Sequence, residues 1–422
     1  MTNRINSAHI APRWSTSGRR FVLLLIVACV MVLPAIAAAT PTPPNPPLAP
    51  AITKVLRMPE RTITPTTNFE FSIAPHSFNG GSIPPAPFVM PQLNNQPIPF
   101  SPADTGTTAG GVTTVSKAGA NLFTGVTFPQ IGTYTYRITE RNDTFTNTFA
   151  QIMEFDTTTW QITIQVLGQQ DPTDDLFVSS VIVQRVLPNG DLDSDKSGPI
   201  TFDNRFTRRV NDTNPTDPDQ AGLLISKAVQ GSFGDTTHFF DFSVSVTAPQ
   251  IAIDLTTGPI TYRAFVVENG AVVTSTDNGA PLAGPAGGDR YFVFTPGIAR
   301  TIHLRHGQTL VFVDTHIGAR YNVSEINVPI AYAPSAVVTA DGQSATGSPF
   351  TANLGQDLVI PQQVLGEARN SAAFVNAHNF IEPTGLTVGA LGSAVLFVGL
   401  IAVTIVAGMI YSKRRRAALK AL

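Results

Sequence analysis

Two lysines stand where a sheet would bury them. Side chains alternate along a strand, so residues two apart share a face. Ile52, Lys54 and Leu56 share one face of a short apolar segment, and Leu223, Ile225, Lys227 and Val229 share one in a second segment. A glutamate follows each lysine on a similar apolar face: Tyr134, Tyr136, Ile138 and Glu140 align, as do Tyr321, Val323 and Glu325. An asparagine closes each series, in Phe202, Asn204, Phe206 and in Ala372, Phe374, Asn376. The order Lys, Glu, Asn is therefore repeated, with about 150 residues from lysine to asparagine each time. Lysine and glutamate are seldom buried without partners, so the two trios are expected to meet inside the fold.

Brought together in a core, these groups can form an amide bond. Burial disfavours the ammonium, which frees the lysine nitrogen as a nucleophile. Burial also favours the neutral carboxylic acid of the glutamate. That acid can polarise the asparagine carbonyl and move protons as ammonia leaves. The predicted bonds are Lys54–Asn204 with Glu140 as catalyst and Lys227–Asn376 with Glu325. Asn379 competes with Asn376 but falls on the opposite strand face. The same residues could instead make a hydrogen-bonded polar cluster with no covalent bond.

The elements that must position these groups read as strands. Alternation is plain in 133–140, 160–167, 177–186, 239–246, 309–315 and 321–326, and Pro and Gly punctuate the chain as turn formers do. No long amphipathic helix is legible between the termini. The fold class expected is all-β: two tandem immunoglobulin-like sandwiches over 51–208 and 221–380, joined by a polar linker, 209–220. Residues 247–308, in the middle of the second unit, match nothing in the first.

The ends carry an address. Residues 1–39 have a basic start, an apolar run and a small-residue exit at Ala37, Ala38 and Ala39, the pattern of a signal peptide. A Pro-rich spacer, 40–50, follows. The single cysteine, Cys29, lies within the apolar run, so the mature chain has no disulfide to stabilise it. Residues 386–411 hold no charge and are long enough to span a bilayer as a transmembrane helix, and the basic tail 412–422 would remain cytoplasmic.

ITKVL (Lys54), GTYTYRITE (Glu140) and ITFDNRF (Asn204) resemble the isopeptide-linked domain of Gram-positive, sortase-assembled backbone pilins of the streptococcal T-antigen type. LLISKAV (Lys227), GARYNVSE (Glu325) and AAFVN (Asn376) resemble related repeats. The resemblance implies Lys–Asn bonds catalysed by Glu140 and Glu325. It also makes Ile381-Glu382-Pro383-Thr384-Gly385 similar to a cell-wall sorting signal, with cleavage between Thr384 and Gly385. Proline stands third there rather than second, which leaves the sortase class open. Between residues 40 and 385 the lysines are Lys54, Lys117, Lys196 and Lys227. In the resembling pilins the linking lysine lies shortly before the closing strand, which points to Lys196.

The implied partners are a sortase, other pilin subunits or peptidoglycan, and the membrane before processing. The implied location is the cell surface. The alternative is an anchored adhesin that binds a host matrix or glycan ligand through its second domain. With charged residues at 13% and a net charge of −2, no nucleic-acid partner is expected. No cofactor, metal site or enzymatic turnover is expected beyond the self-reaction. His303, His306, His316 and Asp314 match no strong zinc spacing. Glu70 and Asp241 alternate against phenylalanines and belong on the outer face.

Overall fold

The computed structural model describes residues 48–168, 176–195, 198–210, 214–217, 222–273, 275–279, 283–284 and 288–378. The chain is nearly all β. Its first strands are β1 (Ala51–Pro59), β2 (Thr67–Phe69), β3 (Phe71–Phe78), β4 (Ile98–Phe100), β5 (Thr107–Ala109) and β6 (Val112–Asn121). They are followed by β7 (Gly132–Glu140), β8 (Gln151–Glu154), β9 (Thr159–Leu167), β10 (Phe177–Val186) and β11 (Ile200–Arg208). One sheet has the order β5-β6-β1-β11-β8, and a facing sheet has the order β10-β9-β7-β3. Their inner faces enclose a single core that includes Leu56, Phe71, Tyr136, Ile162, Phe202 and Phe206.

The second half begins with β12 (Leu223–Gln230), β13 (Phe240–Thr247), a short helix α1 (Gln250–Leu255), β14 (Tyr262–Glu268), β15 (Ala271–Val272), β16 (Phe292–Phe294), β17 (Arg300–Leu304) and β18 (Gln308–Phe312). It ends with β19 (Arg320–Ile326), β20 (Tyr332–Ala340), β21 (Gln343–Ser344), β22 (Phe350–Thr351), β23 (Leu358–Val364) and β24 (Ser371–His378). A nine-stranded sheet runs β15-β14-β18-β12-β24-β20-β21, with β16 on β14 and β22 on β20. It faces the sheet β17-β13-β19-β23. The middle segment unmatched in the first half supplies β14 to β17, which widen both sheets. The strand expected over 309–315 stops at Phe312. Asp314 turns to receive the backbone N–H and guanidinium of Arg263, at 2.8 and 2.9 Å, and Val210 N–H bonds Thr315 O.

The two halves share one organising feature. The first and last strands are parallel neighbours, β1 beside β11 and β12 beside β24. Lys54 pairs with Phe202 and Leu56 with Asn204. Lys227 pairs with Phe374 and Val229 with Asn376. Directly paired side chains project to the same face, so each lysine and asparagine face the same core two positions apart.

The halves also touch one another. Arg320 bonds Glu60, Arg208 bonds Glu367 at 2.5 Å, and Arg205 bonds Asp254 at 3.0 Å. Gly318 sits at φ +78°, where a Cβ would lie 2.5 Å from Pro59 Cβ. Only glycine allows both that backbone and that approach.

Candidate functional site

The faces read from alternation are the buried faces. Lys54, Asn204, Glu325 and Asn376 are fully buried and Lys227 is 2% exposed. The side chain of Glu140 is likewise closed to solvent. The structure brings each trio together.

In the first sandwich Lys54 Nζ lies 2.8 and 2.9 Å from the two carboxyl oxygens of Glu140. Asn204 Nδ2 donates to Glu140 Oε1 at 2.9 Å. In the second, Lys227 Nζ donates to Glu325 Oε1 at 2.6 Å, and Asn376 Nδ2 donates to the same oxygen at 2.5 Å. One carboxyl group therefore bridges the amine and the amide nitrogen at both sites.

Aromatic rings close the sites. Lys54 Nζ stands 4.7 Å from the Phe69 ring centroid, and Lys227 Nζ stands 4.1 Å from that of Phe240. Phe71 pairs across the sheet with Glu140, and Phe242 with Glu325. These rings exclude water, which raises the cost of a charge at either site. A signal for them is present in the sequence as Phe69-Glu70-Phe71 and Phe240-Asp241-Phe242, where the flanking rings matter and the acids between them point away. Glu70 pairs with Arg141 at 2.6 Å and Asp241 with His303 at 2.7 Å.

Burial dominates the electrostatics. It lowers the Lys54 and Lys227 ammonium groups to about 8, against the opposing pull of Glu140 and Glu325. It raises the carboxyls of Glu140 and Glu325, although the adjacent lysine acts the other way in each case. Amine and acid are thus pushed toward a neutral pair, the state from which an amine can attack an amide carbonyl.

The surroundings of the asparagine oxygens differ between the sites. Asn204 Oδ1 accepts the backbone N–H of Asp156 at 2.8 Å. Asn376 Oδ1 is buried without a hydrogen-bond partner, as is Glu325 Oε2. Asp156 was not legible as a site residue, because its contribution is a main-chain N–H on a loop after β8, with no pattern in side-chain type.

Lys117 is held by Pro99 O at 2.6 Å and Asp104 at 2.8 Å. The histidines go to separate partners. His303 meets Asp241, His306 Nδ1 accepts Val229 N–H, and His316 lies between Arg209 and Tyr262. Lys196, Asn379, Thr384 and Gly385 lie outside the described residues, as do the 1–39 leader, the 386–411 apolar span and the basic tail. Among the described residues no helix is long and apolar enough to cross a membrane.

Comparison with known proteins adds to this geometry. Residues 50–207 match the family model of the Spy0128-like isopeptide containing domain. Residues 221–354 match a domain of unknown function, DUF7601. Among solved structures, the chain is similar to the major pilin of Streptococcus pyogenes at 18% identity and TM-score 0.32, over 78% of this chain and 98% of that one. It is similar to the T-13 major pilin of Streptococcus pyogenes serotype GAS131465 at 18% identity and TM-score 0.29, over 79% and 98%. The pilus-presented adhesin Spy0125 (Cpa) is similar at 16% identity and TM-score 0.23, over 53% of this chain and 36% of that one. No curated protein matches.

Proposed function

We propose, from the match of residues 50–207 to the Spy0128-like isopeptide containing domain and the buried trios described above, that the chain is a pilus subunit or stalk crosslinked within each sandwich. The bonds are Lys54–Asn204 and Lys227–Asn376. The observation that carries this reading is the bridging carboxyl, which lies within hydrogen-bond reach of both the Lys54 amine and the Asn204 amide nitrogen in a core closed to solvent.

The chemistry follows from those contacts. Neutral Lys54 Nζ attacks Asn204 Cγ. Glu140 takes a proton from Nζ and gives one to Nδ2, and the Cγ–Nδ2 bond breaks with loss of ammonia. Glu140 ends in the state in which it began. The same steps apply to Lys227, Glu325 and Asn376. This is a single-turnover self-reaction that consumes its own side chains, and its steps call on no cofactor.

Secretion would use residues 1–39. A sortase would cut between Thr384 and Gly385 and join Thr384 to another subunit or to peptidoglycan, with 386–411 holding the precursor in the membrane until then. Lys196 is the lysine we assign to receive the next subunit. Lys117 is engaged by Asp104 and Pro99 O, which supports that choice.

The test is the intact mass of residues 40–380 beside Glu140→Ala and Glu325→Ala. The expected result is a deficit of two ammonia masses, one of which returns in each variant. A folded wild-type protein with no deficit would sink the crosslinking.

A further inference from the structure

Resting on that reading, we propose that the backbone N–H of Asp156 is the oxyanion donor for formation of the Lys54–Asn204 bond, that the Asp156 side chain is the positioning group for this donor, and that the second site, which has no such donor, forms its bond more slowly.

When Lys54 Nζ bonds to Asn204 Cγ, the electron pair of the C=O bond moves onto Oδ1. A donor already aimed at that oxygen stabilises the charge without reorganisation. Asp156 N–H meets Asn204 Oδ1 at 2.8 Å. It is fixed there by its own carboxylate, whose Oδ1 accepts Thr158 N–H at 2.7 Å and whose Oδ2 accepts Asp203 N–H at 2.8 Å. The second of these bonds ties the loop to β11 one residue before Asn204. Donor and acceptor are therefore locked to the same strand. Glu140 is left to serve the nitrogen side, where it takes the Nζ proton and protonates the leaving Nδ2.

The sheet topology explains why only one site has this device. Strand β8 pairs with β11 over Arg205 to Arg208 and ends at Glu154. Beyond that point the edge of β11 is open, and the departing chain can turn Asp156 N–H toward the Asn204 side chain. In the second sandwich β20 runs along all of β24, from Tyr332 opposite His378 to Thr339 opposite Ser371. The amides of β20 that face β24 are committed to that ladder. The residue opposite Asn376 is Pro334, which has no N–H to offer. Asn376 Oδ1 is accordingly buried and unpartnered. Among the described residues no donor meets that oxygen, and Glu325 touches Asn376 through Nδ2, on the leaving-nitrogen side.

The experiment is cell-free synthesis of residues 40–380, quenched at intervals, with ammonia loss at each site read by peptide mass mapping. In the wild type the first bond is expected to complete before the second. Asp156→Pro removes the N–H and the clamp and should slow the first bond by about 10²-fold or more, the cost of losing one oxyanion donor. Asp156→Ala keeps the N–H without its clamp and should fall between. Asp156→Asn has a single acceptor oxygen and sets its NH2 against the other backbone N–H, so it loses half of the clamp and should also fall between. The second bond is the internal control and should be unchanged in all three.

A folded Asp156→Pro protein that crosslinks at the wild-type rate would overturn the proposal, as would a wild type whose second bond forms first. If Asp156→Pro does not fold, Asp156→Ala and the order of the two wild-type bonds decide the question. A wild type that forms neither bond refutes the crosslinking itself, a separate outcome.

Discussion

Replacing Lys54 by methionine isolates the stabilising worth of the proposed Lys54–Asn204 crosslink. Methionine is close to lysine in volume and fills the aliphatic slot between Ile52 and Leu56 without a charge. It leaves Glu140 hydrogen-bonded to Asn204, and burial favours the neutral acid there, so no ion is stranded. What is lost is the closure of a loop of about 150 residues, worth about 5 kcal/mol by chain-entropy reasoning. For a sandwich of this size, that corresponds to a fall in Tm of about 10–20 °C. Glu140→Ala should fall further, because it also leaves a buried lysine without a partner, a loss of about 3–5 kcal/mol. The assay is differential scanning calorimetry on samples whose crosslink state has been fixed by intact mass. The reasoning is refuted if the wild type carries the bond and Lys54→Met nevertheless melts within about 3 °C of it.

Three further outcomes follow. Asn204→Ala leaves Lys54 and Glu140 buried and unlinked, so its stability should depend on pH in two windows, measurable by urea unfolding. Lys54 titrates near 8 in the folded protein, below its ordinary 10.5. Between these values the unfolded chain binds more protons and stability rises with pH. Glu140 is raised above its ordinary 4.5, so stability falls as pH rises from there until Glu140 ionises, and the crosslinked wild type should lack the lysine step. In cell-wall extracts, Lys196→Ala should abolish heat-resistant ladders on denaturing gels and Lys117→Ala should not; ladders that survive Lys196→Ala would refute the assignment. Gly318→Val puts a Cβ 2.5 Å from Pro59 Cβ at φ +78°, so small-angle scattering should show a loosened joint between sandwiches, while an unchanged profile would show that the joint does not depend on this approach.

The period-two alternation around Lys54, Glu140 and Asn204 was enough to find the core faces, because a strand in one sheet of a two-sheet sandwich has only one buried side. It also found Lys227, Glu325 and Asn376. Three things were not legible. The ring of Phe240 over Lys227 depends on which strand packs across the core, a long-range fact that local alternation does not hold. The end of β18 at Phe312 depends on Arg263 reaching Asp314 from β14, a partner about 50 residues away in sequence. The role of Asp156 depends on where β8 stops pairing with β11, and no side-chain pattern marks that point.

The parallel pairing of first and last strands also bears on load. Each sandwich is entered at β1 or β12 and left at β11 or β24, adjacent strands that run the same way. A pull on the chain ends therefore reaches Lys54 within a few residues of entry and Asn204 within a few of exit. Without a covalent link, those two strands shear apart and the intervening chain pays out. With the link, tension passes from Lys54 directly to Asn204 and the residues between carry none. Single-molecule stretching should then release about 500 Å from the first sandwich of Lys54→Met, from about 150 residues at the extended length per residue, and nothing comparable from the wild type. A wild-type sandwich that extends by the full amount would mean that the bond is absent or lies elsewhere. No extension in either protein would mean that the ladder between β1 and β11, not the side-chain amide, bears the load.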